Sequence, residues 1–127
     1  MLLKKSGHIP YVYKANERER TIFLPKLPPL IINQYYHQKN HERYPILQTI
    51  WLQQSNYKKK IILLDEINLE NDKELRLRYY IIGKEKSVRG KWVFGQFATI
   101  LPRQDFHKLI KLAKKHRIIS ADSLTLS

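Results

Sequence analysis

A chain of 127 residues with 43% hydrophobic and 11% aromatic content has the length and side chains for one folded core, so the composition excludes a disordered basic tail. The 24 Lys and Arg against 11 Asp and Glu give a formal charge of +13, which attracts polyanions and makes nucleic acid the leading partner on charge alone. There are no cysteines, which excludes disulfide frameworks, thiolate nucleophiles and Cys-containing zinc sites and fits a reducing cytoplasm.

Residues 1–42 are the least regular. IPYVYK (9–14) and TIFLPKLPPLII (21–32) are β-prone, yet Pro10, Pro25, Pro28 and Pro29 restrict them to edge strands or extended segments. NERER between them reads as a polar turn or an exposed excursion, and INQYYHQKNHERY (32–44) as a short helix or a loop. Neither the start, MLLKKSGHIPYVYK, nor any later run has the apolar length of a signal or a membrane span, so the expectation is a soluble, non-secreted protein with no membrane partner.

From Tyr44 the pattern sharpens. YPILQTIWLQQ alternates with Ile46, Ile50 and Leu52 on one side and Leu47, Thr49 and Trp51 on the other, SNYKKK is a turn, and KIILLDEINL is a second strand. KELRLRYYIIG is the clearest strand, with Leu75, Leu77, Tyr79 and Ile81 on one face and Arg76, Arg78, Tyr80 and Ile82 on the other. KEKSVRG turns the chain with Gly90 suited to a positive φ, and KWVFGQFATIL makes a fourth strand in which Gly95 leaves a gap.

PRQDFHKLIKLAKKH (102–116) is an amphipathic helix: Pro102 suits its first turn, Asp105 the positive end of its dipole, and Lys111, Lys114, Lys115 and His116 its negative end. Phe106, Leu109, Ile110 and Ala113 form the predicted buried face. A run of strands closed by a helix predicts an α+β fold, a curved antiparallel sheet of at least four strands covered by a C-terminal amphipathic helix. The whole chain reads as a single domain, with irregular strands or an arm over 1–42, a four-strand and helix unit over 43–117, and a polar tail over 118–127.

Enzymatic signatures are absent. The four glycines are too dispersed for a nucleotide-binding loop, and no serine sits in a nucleophile elbow. His37 and His41 lack the HExxH order, Glu74-x-Arg76 lacks the lysine of a magnesium-dependent nuclease, and the sequence calls for neither metal nor cofactor.

The basic clusters carry more information. If consecutive hairpins alternate ends of the sheet, Lys58, Lys59 and Lys60 share one rim with Lys84, Lys86, Arg89 and Lys91, while Lys114, Lys115 and Arg117 add charge at the helix end. Beside that rim Trp51, Tyr80 and Trp92 offer rings for base stacking, and Arg76 and Arg78 reach the backbone or stack themselves, a combination by which single strands are commonly held. The expected function is therefore a non-enzymatic module for single-stranded DNA or RNA, acting as a homodimer. The alternative is an assembly factor whose apolar sheet face, with Trp51, Trp92 and Phe97, lies under a protein partner.

The order of four strands and a basic-ended helix over 44–117, with ATILPRQDFHKLIKL opening the helix straight after the last strand, resembles the single-strand DNA-binding transcriptional regulator fold of positive cofactor four and the plant Whirly proteins. RYYIIGKEKSVRGKWVFGQF and LPRQDFHKLIKLAKK are also similar to small cyanobacterial proteins associated with that fold. The resemblance implies a helix-closed curved sheet and homo-oligomeric assembly. VRGKW (88–92) matches only the Gly-Lys pair of the Whirly KGKAAL motif, so Gly90 and Lys91 are the only DNA contacts the resemblance implies.

Overall fold

The computed structural model describes residues 13–14, 19–33, 35–37, 43–70 and 72–120, so the expectations for 1–12, for 16–18 of NERER, for His41 and for the tail beyond Ser120 fall outside them, whereas Ile118, expected in a polar tail from 118, is buried. Eight strands and one helix follow in order: β1 Tyr13–Lys14, β2 Glu19–Ile22, β3 Leu30–Asn33, β4 Tyr35–His37, β5 Arg43–Gln53, β6 Lys60–Leu69, β7 Asp72–Ile82, β8 Trp92–Phe94 and α1 Arg103–Lys115. The α+β class stands, with a main antiparallel sheet running β1-β5-β6-β7-β8 and β4 also paired to β5. The segment expected to be a helix or loop over 32–44 instead holds strand wherever it is described.

Direct pairing of Trp51 with Leu63 and of Leu63 with Arg78 fixes which side chains share a face. One face carries Ile50, Leu52, Ile62 and Leu64 and is covered by α1 through Leu109 and Ala113, with Ile118 beyond the helix. The other carries Trp51, Ile61 and Leu63 and is covered by the β2–β3 ribbon through Ile22, Leu24, Leu30 and Ile32. Ribbon, sheet and helix thus make three layers, and Ile61–Ile67 of β6 is buried on both sides.

The ribbon was expected to be an edge or an arm. Pro25 and Lys26 instead turn the chain back: Leu27 N–H donates to Leu24 O at 3.3 Å and Lys26 takes φ 62°, which the third residue of a type II turn requires. A register shift between Ile46 and Gln48 sets Ile46 opposite Ile67, on the ribbon side, rather than with Ile50.

β8 is only three residues long, because the chain leaves the edge at Gly95. A Cβ at Gly95 would enter the Tyr79 ring, and Gly95 N–H donates to Tyr79 O at 2.8 Å. The gap expected at this glycine is filled by the tyrosine.

α1 starts one residue after Pro102 and buries Asp105, Leu109 and Ala113, whereas Phe106 is exposed. The expected face is therefore rotated. Its cause is the loop after β5, where Ser55 N–H donates to Asp105 Oδ2 at 2.9 Å and Gln104 Nε2 donates to Ser55 Oγ at 3.0 Å. No helix among the described residues is long and apolar enough to cross a membrane.

Candidate nucleic-acid interface

Two loops meet at one end of the sheet. The first, between β5 and β6, is closed by Gln54 N–H donating to Lys60 O at 2.9 Å and by Gln53 Nε2 donating to Lys58 O at 2.7 Å. The second, between β7 and β8, is pinched at its neck, where Gly83 N–H donates to Lys91 O and Gly90 N–H to Gly83 O. Val88 fills the neck so closely that a Cβ on Gly83 would lie 2.5 Å from its methyl group, and Gly90 takes the expected positive φ of 76°.

Ile82 N–H donates to Lys59 O at 3.0 Å, and Lys84 Nζ sits 5.7 Å from the centre of the Tyr57 ring. The shared end expected from hairpin alternation is thus present. It exposes Lys58, Lys59, Lys84, Lys86, Arg89 and Lys91 together, with Glu85 as the acid between them. None of these six cations has a carboxylate within ion-pairing distance among the described residues.

Lys60 departs from the rim. It lies half-buried on the helix face, with Nζ donating to Ile100 O at 2.7 Å and standing 4.7 Å from the centre of the Tyr79 ring. Burial pulls its pKa below the usual 10.5. The basic last turn of α1 is also separate from this end, because the helix is anchored there by its first turn and runs for about 20 Å.

Three further candidates are overturned. Trp51 is fully buried beneath the ribbon and offers no stacking face. Arg78 is buried and Arg76 mostly covered, both turned to Asp65: Arg76 Nε donates to Oδ2 at 2.9 Å and Arg78 Nη2 to Oδ1 at 3.1 Å. The physical reason is the same for all three. Trp51 packs under the ribbon, and on the same face Arg78 and Asp65 are buried, so a guanidinium there must find an anion, which β6 supplies directly across the ladder from Arg76.

Thr49 Oγ1 donates to Asp65 Oδ1 at 2.7 Å and completes the cluster. Neighbouring Glu66 points to the opposite face, where Gln48 Nε2 donates to it at 3.3 Å. The two consecutive carboxylates are therefore on opposite sides of β6, and no group of three or more His, Cys, Asp or Glu gathers as a metal set among the described residues.

Beside the cationic end lies a cleft of about 320 Å³, lined by Pro28, Pro29 and Ile31 of the ribbon and by Tyr80, Trp92 and exposed Lys91 of the hairpin. This is the lower end of the range for small-ligand sites. Trp92 Nε1 donates to Pro28 O at 2.6 Å, which fixes the indole against the ribbon. Tyr80 is held by Arg78 Nη1, which donates to its hydroxyl at 3.2 Å, and meets Phe94 edge to face with ring centres 5.3 Å apart.

Of the candidate side chains, Lys58, Lys59, Tyr80, Lys86, Arg89, Lys91 and Trp92 are brought to one end. Phe94 was missed, although its alternation with Trp92 was readable, and so were the prolines, whose pairing with the indole no local pattern signals. No family model, curated protein or solved structure matches the chain significantly, so its functional reading rests on the chemistry of this end of the sheet.

Proposed function

We propose that the protein binds single-stranded nucleic acid, without a catalytic step, at the end of the sheet where its two basic loops meet. The observation that carries this reading is the hydrogen bond from Ile82 N–H to Lys59 O, because it brings two lysine-rich loops side by side next to a proline- and aromatic-lined cleft. Exposed cations track a phosphate backbone at little desolvation cost, and Tyr80, Trp92 and Phe94 provide ring surface beside them for unpaired bases.

The mode differs from a strand laid across an open sheet. Trp51, Arg76 and Arg78 have structural work beneath the ribbon, and the binding surface is the rim together with the cleft. Titrating a labelled single-stranded oligonucleotide at several salt concentrations tests the reading. Log K should fall with log salt by about 0.7 for each phosphate neutralised. Absence of binding at low salt, or binding with no salt dependence, overturns it.

A further inference from the structure

The outer edge of β7 is open along most of its length. Among the described residues β8 pairs only with Tyr80–Ile82, and Gly95 closes the edge by its bond to Tyr79 O, so no strand lies beside Asp72–Arg78 on the side away from β6. Ile82 N–H points toward β6, whereas Tyr79 O and Gly83 N–H point toward β8. Since the ladder alternates, Lys73, Leu75 and Leu77 direct their backbone groups outward from the open edge. Leu75 and Leu77 are also 48% and 37% exposed on the helix face.

We infer that this edge pairs antiparallel with the same edge of a second copy, centred on Leu75. The charge pattern selects both occupant and register. With Leu75 opposite its own counterpart, Glu74 of each copy faces Arg76 of the other, twice over, adding a second carboxylate beside a guanidinium already on Asp65, which itself answers both Arg76 and Arg78, and Leu77 faces Lys73, whose alkyl stem covers it.

The neighbouring registers that keep outward backbone groups opposed are centred on Glu74 or Arg76, and they place like charges face to face at the axis. The centred pairing also lets Leu75 exchange both backbone bonds with its counterpart, with Lys73 and Leu77 bonded on either side. It closes after two copies, so it gives a dimer and not a fibre. Both helices then lie on one side of a continuous sheet. Charged edges also serve to block pairing, and that role predicts a monomer.

Sedimentation of nuclease-treated protein, in salt that screens the net charge, decides between them. The wild type should be a dimer, and Glu74→Lys should raise its dissociation constant by about tenfold with thermal unfolding of the protomer unchanged. Because the chain has no cysteine, single-cysteine variants report the register: Leu75→Cys should cross-link on oxidation and Ser87→Cys should not. A monomer at all concentrations, a dimer indifferent to Glu74→Lys, or cross-linking at Ser87→Cys alone overturns the inference. Nucleic-acid binding by a strictly monomeric protein would sink the dimer and leave the proposed function intact.

Discussion

Arg78 lies side-on against Asp65, with Nε 2.8 Å from Oδ2 and Nη2 3.1 Å from Oδ1, both side chains buried on the face that carries Trp51. Arg76 approaches the same carboxylate and Thr49 donates to it, so one buried acid holds β5, β6 and β7 together from inside the ladder. Replacing Asp65 by Ala strands a buried guanidinium and should cost about 3–5 kcal/mol in urea unfolding, whereas Thr49→Val should cost about 1 kcal/mol. An Asp65→Ala protein as stable as the wild type would refute the structural role given to Arg76 and Arg78.

Trp51 and Trp92 should separate cleanly. Trp51→Ala empties a site walled by Leu63 and the ribbon and should destabilise by about 3–5 kcal/mol. Trp92→Ala and Tyr80→Ala should each weaken oligonucleotide binding by about 1–3 kcal/mol, measured on protein shown by circular dichroism to be folded.

Removing rim charge should act through the salt dependence. Changing Lys58, Lys59, Lys86 and Arg89 to Ala should flatten the plot of log K against log salt by about 0.7 for each side chain that met a phosphate, with the unfolding midpoint little changed. The same change at Lys114 and Lys115, on the last turn of α1, should leave that slope alone.

Gly95→Ala should destabilise by at least about 1–3 kcal/mol, because its new methyl would enter the Tyr79 ring. Much of the loss should vanish when it is made in a Tyr79→Ala background, and a double-mutant cycle measures the difference.

Lys60 gives a pH signature. Its pKa in the folded state lies below the unfolded 10.5, so between the two values the unfolded chain binds more protons and stability rises with pH. The penalty for burying the charge is fully present below the folded pKa and disappears above 10.5. Comparing the wild type with Lys60→Met across the alkaline range isolates it: the wild type should gain on the variant as pH rises.

What the sequence determined is the part governed by near neighbours. Alternation along 74–82 set that strand and which of its residues share a face, alternation along 44–53 set a second strand but not the shift that parts Ile46 from Ile50, Gly90 and Pro102 marked a turn and a helix start, and the net charge pointed to a polyanion. Hairpin alternation was enough to bring Lys58 and Lys59 to the end that holds Lys86, Arg89 and Lys91. Tertiary structure decided which faces are dry. Period two says that Arg76 and Arg78 point the same way, but only the ribbon folded over that face makes it an interior, turning Trp51 into core and the arginines toward Asp65. The uninterrupted apolar run Ile61–Leu64 was the one local sign of a second covering layer, since a strand wetted on one face has no use for it.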